Sequence, residues 1–139
     1  MFKHLFKAFY ICAALYTSSV YAEDVPKTEV IGVLYYADWC GSCKVLDPKI
    51  EQAKKGLAAT HAPILFVQLD LTNEQTRYQS ELLVNSLSLE SSYAKYGGKT
   101  GFMLLLDADS KQVIARLTKN LDTADISKAI NQALIQAKG

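Results

Sequence analysis

The sequence has few of the residues that build metal centres: three cysteines and two histidines in 139 residues. Proline is as rare, with only Pro26, Pro48 and Pro63. Charge of neither sign dominates, since 15 basic residues face 14 acidic ones for a net +1. Such a balance gives no reason to expect nucleic acid or an anionic membrane as a partner. No hydrophobic run is long enough to span a bilayer, the clean stretch Ala8 to Tyr16 being too short. Repeats and low-complexity tracts are absent. What remains is an ordinary single domain, half of it hydrophobic.

The N-terminus reads as an export signal rather than part of that domain. Lys3, His4 and Lys7 form a basic start, and Leu5 to Tyr16 is apolar apart from Lys7. Val20 and Ala22 supply compact residues at the −3 and −1 positions of a signal-peptidase site. Cleavage after Ala22 leaves residues 23–139 as the domain, in the periplasm or secreted, with no stable membrane association. An uncleaved anchor is the competing reading. A lipoprotein signal at Cys12 lacks the small residues it needs, because Phe9-Tyr10-Ile11 precede it. Losing Lys3 and Lys7 turns the net charge from +1 to −1, and losing Cys12 leaves Cys40 and Cys43 as the only thiols.

The expected fold class is α/β. Val30 to Tyr36 is a continuous apolar run rich in β-branched and aromatic residues, as for a strand buried on both faces. A helix from Cys40 carries Val45, Leu46, Ile50 and Ala53 on one side, is kinked at Pro48 and stops at Gly56. A second buried strand, Ile64 to Leu71, follows Pro63. Thr72 caps a helix to about Val84, and a shorter one runs from Ser88 to Tyr96 before Gly97-Gly98. Phe102 to Leu106 and the alternating Val113 to Thr118 are strands flanking the turn at Asp107 to Ser110. Asp122 caps a last helix whose Ile126, Ala129, Ile130, Ala133, Leu134 and Ala137 share one face. This order predicts a central four-stranded mixed sheet flanked by helices, with a helical insertion before the third strand.

Trp39-Cys40-Gly41-Ser42-Cys43-Lys44 sits where the first strand becomes a helix. Two thiols at this spacing close a loop too short to restrain the unfolded chain much, so they are not a structural staple. They suit thiol–disulfide exchange, though zinc sites share the spacing. A closed zinc site needs four ligands, and the exported chain offers one other soft candidate, His61, which reads as a solvated loop residue. Two thiolates alone could hold Cu(I), which keeps a copper- or client-binding module with little turnover as the alternative. Tyr35 and Tyr36 read as core residues, Asp38 as a solvent-exposed neighbour of Cys40, and Tyr78, Leu82 and Leu83 as an insertion packing on the domain.

The stretch Tyr36 to Lys44, followed by Pro48, resembles the active-site segment of the thioredoxin superfamily, and the element order extends the likeness over residues 23–139. Tyr35 to Cys40 is particularly similar to the terminal domain of bacterial transmembrane reductases of the DsbD type. The resemblance implies an exchange enzyme with no metal or organic cofactor, a disulfide-containing protein substrate and a redox partner protein. Cys40 would be the nucleophile at the helix N-terminus, Cys43 the buried resolving thiol, and the two would form the redox disulfide. Trp39 and Lys44 would surround the site, Gly41 and Ser42 would tune the potential, and Thr100, Gly101 and Phe102 would form the substrate loop.

Three departures alter that picture. The buried Asp of thioredoxins is matched by Leu34, and the Lys that partners it by Gln68. A buried Lys without its carboxylate would be costly, so the two losses belong together. No proline stands near 100–103, where the family carries a cis-Pro, and a non-proline cis bond costs ~3–4 kcal/mol, so the Gly101–Phe102 bond is expected to be trans. Without a carboxylate at position 34 to repel it, the Cys40 thiolate is expected to form more readily than in thioredoxin, and the pair to be more oxidising. An ultraviolet titration of Cys40 should show a thiolate more acidic than free cysteine, and Leu34→Asp should make it less acidic. A wild-type thiol weaker as an acid than free cysteine would overturn this.

Overall fold

The computed structural model describes residues 27–139, so the expected signal segment 1–22 lies outside the described residues. The elements follow as β1 (Val30–Tyr36), α1 (Gly41–Ala58), β2 (Ile64–Asp70), α2 (Glu74–Ser86), α3 (Glu90–Tyr96), β3 (Phe102–Asp107), β4 (Val113–Thr118) and α4 (Thr123–Ala137). The four strands make one sheet in the order β2-β1-β3-β4. β1 runs parallel to β2 and antiparallel to β3, and β3 is antiparallel to β4. This is the mixed, helix-flanked sheet that the apolar patterning predicts, with α2 and α3 inserted before β3.

β1 is the axis of two cores because its side chains alternate between the faces of the sheet. Val30 and Leu34 meet Leu46, Ile50 and Ala53 of α1 and Ile126, Ile130, Ala133 and Leu134 of α4. Ile31, Val33 and Tyr35 meet Leu69, Val84, Leu89, Phe102, Leu104 and Leu106 on the other face. Full burial of each large apolar side chain is worth about 1.5–3 kcal/mol. The continuous apolar run of β1 is therefore a consequence of helices on both sides.

Among the described residues β2 is an edge strand rather than a buried one. Leu65 and Gln68 are exposed and only Leu69 is fully buried within it. An apolar run does not distinguish a central strand from an edge that a helix half covers. α1 passes Gly56 and ends at Ala58, because Leu57 packs against the core. Pro48 lies inside α1 on its solvent side, where water can serve the Lys44 carbonyl that its missing N–H leaves free.

The insertion departs most from expectation. Asn73, not Thr72, caps α2, its side chain accepting from Thr76 N–H at 3.1 Å while the Thr76 hydroxyl accepts from Asn73 N–H at 3.1 Å. α2 turns Ser80 and Val84 inward, and the Ser80 hydroxyl donates to the Asp70 carbonyl at 2.9 Å. Tyr78, Leu82 and Leu83 consequently point to solvent instead of packing on the domain. α3 starts at Glu90, two residues late, because Ser88 takes a positive φ of 55°.

Candidate active site

The chain turns out of β1 at Ala37 and enters α1 at Gly41, and the two cysteines straddle that junction. Cys40 is the N-cap of α1 in an extended conformation. Its sulfur accepts the Cys43 N–H at 3.2 Å, the role an N-cap hydroxyl usually fills. A thiolate there gains from that N–H and from the positive end of the helix dipole. Cys40 and Cys43 form a disulfide, with Cα atoms 5.3 Å apart. Cys40 keeps 7% of its surface exposed and Cys43 none. One sulfur is thus at the rim and the other sealed beneath it.

Two anchors hold this turn. Thr72, in the β2–α2 connection, accepts the Asp38 N–H on its hydroxyl at 3.1 Å, and its carbonyl accepts the Trp39 indole N–H at 3.1 Å. The hydroxyl donates in turn to Asp70, whose carboxylate also takes the Thr72 N–H at 2.8 Å. Trp39 remains 62% exposed, its ring fixed by one edge and presented to solvent by its faces. Asp38, Gly41 and Lys44 are exposed beside it, and Ser42 is half-buried. The second anchor is the Tyr35 carbonyl, 3.8 Å from Cys43 Sγ and accepting the Gly101 N–H at 2.9 Å.

Gly101 brings the loop before β3 against the disulfide. Its φ is +90°, and a Cβ there would stand 2.7 Å from Ser42 Cβ and 3.3 Å from Cys40 Sγ. Thr100 is half-exposed next to it. Phe102, expected in the substrate loop, instead begins β3 with its ring 1% exposed, stacked on Tyr35 at 4.8 Å between centroids. Strand alternation turns it inward once Gly101 faces the cysteines. Among the described residues no peptide bond is cis.

Behind the site, Leu34 and Gln68 are register partners across β1 and β2. They line a recess of about 110 Å³ with Met103, Ile50, Phe66, Val67, Glu51 and Lys54. Leu34 itself is 4% exposed within the core. On the opposite face the Tyr35 hydroxyl shares a 3.0 Å hydrogen bond with Ser92. Burial pushes the Tyr35 phenol above its ordinary pKa, and the Ser92 bond offsets part of that. It acts as a neutral wedge, not an acid. His61 lies in the α1–β2 loop at the far end of the sheet from the cysteines. Among the described residues no group of three or more His, Cys, Asp or Glu is placed to hold a metal.

A sheet of this topology carrying a redox cysteine pair at the head of its first helix defines a thioredoxin-like domain. Residues 13–87 match the thioredoxin family model, and the chain belongs to that family. It is 40% identical over 55 residues to a protein disulfide-isomerase of Zea mays, covering 40% of this chain and 11% of that one. The human protein disulfide-isomerase A4 is 40% identical over 58 residues, 42% of this chain and 9% of that one. The aligned stretch is therefore about a tenth of the length of these curated relatives. Among solved structures, a thiol:disulfide interchange protein of the thioredoxin family from Chlorobium tepidum superposes with a TM-score of 0.52 at 20% identity, covering 76% of this chain and 80% of that one.

Sequence reasoning did not find Thr72 or Asp70 as site residues. Asp-Leu-Thr-Asn carries a turn signal, but nothing local shows that the turn would reach Trp39. Gly101→Ala is expected to slow exchange at Cys40 and to destabilise the domain by more than about 1 kcal/mol, since the conformation and the contact both exclude a Cβ. Urea unfolding with a stopped-flow exchange assay checks this, and wild-type values for both would refute it.

Proposed function

We propose that this protein is an exported thiol–disulfide oxidoreductase that acts on protein disulfides through Cys40 and Cys43. The observation that carries the reading is the asymmetry of the pair: Cys40, 7% exposed and capping α1, and Cys43, fully buried a single turn behind it. In the reducing direction the Cys40 thiolate attacks one sulfur of a substrate disulfide. The substrate bond breaks, a mixed disulfide forms, and the departing thiolate takes up a proton. Cys43 then loses its proton, attacks Cys40 Sγ and releases the second substrate thiol. Two electrons pass to the substrate and the Cys40–Cys43 bond re-forms, to be reopened by a redox partner protein.

The Ala37-Asp38-Trp39-Cys40-Gly41 context supports reduction over oxidation or isomerisation, whereas the curated relatives are named as isomerases. The basic, then apolar N-terminus and the compact residues at Val20 and Ala22 support export, with cleavage before Glu23. Outside the cell's reducing interior such a pair cycles against partners rather than against the glutathione pool.

Cys43→Ser should trap mixed disulfides through Cys40 that dithiothreitol dissolves, and Cys40→Ser should trap none. A Cys43→Ser protein that traps nothing but whose wild type holds Cu(I) would replace this reading with metal handling. The potential against glutathione gives the direction: near ~−270 mV for a reductant, near ~−120 mV for an oxidant. Mass analysis of the exported protein should give a chain starting at Glu23.

A further inference from the structure

Arg116 of β4 lays its guanidinium over the Phe102 ring, 4.1 Å from the centroid. Phe102 is the residue directly after Gly101, whose backbone abuts Cys40. Among the described residues Arg116 makes no salt bridge and no side-chain hydrogen bond, and it is exposed. A guanidinium stacked in this way has one face desolvated and its plane fixed, while its N–H edges stay open. That is the arrangement that takes a carboxylate in two parallel hydrogen bonds.

The surroundings have the same sign. Lys119 follows Thr118, the register partner of Phe102, and Lys99 precedes Phe102 by three residues. Both are exposed and, among the described residues, unpaired. The nearest acid along the chain, Asp122, is turned into the start of α4, accepting the Asp125 N–H at 2.8 Å. The acids at this end of the sheet, Asp38, Asp70 and Glu74, stand on the opposite flank with Trp39 and α2, where Lys44 and Arg77 are exposed as well. The rim of the site is thus basic along β3–β4 and of mixed charge along β2–α2.

We propose that Arg116 is a specificity-determining residue that binds a carboxylate of an acidic peptide segment beside the substrate's disulfide. This rests on the exchange reading above. Arg116 is the register partner of Leu104, three residues past Gly101, and an extended substrate advances about 3.3 Å per residue, so the acid stands about two to four residues from the reacting cysteine. The Gly101 N–H is bound to the Tyr35 carbonyl and is not open to a partner, which leaves side chains such as Arg116 to choose it.

The test uses the full chain, reduced beforehand, and two peptide disulfides that differ only in Glu or Gln at those positions. The Cys40–Cys43 dithiol gives up two electrons and two protons as the peptide disulfide opens to two thiols. The Glu peptide should react about tenfold faster than the Gln peptide, which corresponds to about 1.4 kcal/mol. Added salt should shrink that ratio. Arg116→Gln should bring it close to one, while Arg116→Lys should keep part of it, because the charge remains and the paired geometry is lost. Equal wild-type rates, or a ratio that survives Arg116→Gln, would overturn the role of Arg116 and leave exchange standing. No reaction with either peptide would overturn the exchange reading itself, and this assignment with it.

Discussion

The carbonyl of Tyr35 is the point on which the site is hung. It lies one residue before the end of β1, the strand with a helix layer on each face, so its position is fixed by both cores at once. From there it takes the Gly101 N–H at 2.9 Å and lies 3.8 Å from the sealed sulfur of Cys43. One acceptor therefore sets where the third strand begins and how deep the second cysteine sits. The side chain of the same residue anchors the other face through Phe102, Tyr96 and Ser92. Rigid placement is what exchange requires, because the incoming sulfur must line up with both sulfurs of the bond it breaks.

Chemistry at Cys40 is then set by backbone rather than by side chains. The helix start supplies an N–H and a dipole, and positions 34 and 68 behind it carry no charge: Leu34 and Gln68 are register partners. In a low-dielectric pocket a lone carboxylate or ammonium would carry a large desolvation cost, so an apolar residue opposite an exposed amide is a stable replacement for a buried ion pair. The consequence for Cys43 runs the other way. Under the proposed exchange, with no carboxylate at position 34, its proton would leave by way of the substrate's departing thiolate or of solvent, which would tie resolution to the partner that is bound.

Much of this was legible in the sequence wherever one local rule acted alone. The buried run of β1, the apolar stripe of α4 and its Asp122 cap follow from periodicity and capping, and Trp39 to Lys44 announces its own chemistry. The misses fall where two rules compete. Ile64 to Asp70 is apolar enough for a central strand, yet no later segment pairs with its outer side. Thr72 and Asn73 are both good caps, and the tertiary pull of Asp38 and Trp39 takes Thr72 away from α2. Phe102 belongs by position to the loop, but a ring of that size is drawn under Tyr35.

The absence of proline near residue 101 has a structural counterpart in Gly101. With φ at +90° its backbone passes within contact of Cys40 and Ser42 while its N–H turns inward to Tyr35. A partner that reaches Cys40 there meets a surface without that donor, so main-chain pairing contributes less and recognition shifts to the groups at the rim. Those groups are unlike on the two sides: an indole held by Thr72 among charges of both signs, and a guanidinium held by Phe102 and flanked by lysines. Main-chain pairing accepts most sequences, whereas a fixed ring and a fixed charge do not. Under the proposed exchange, the Gly101 turn would therefore narrow the range of disulfides that reach Cys40, in favour of a dedicated partner over general exchange.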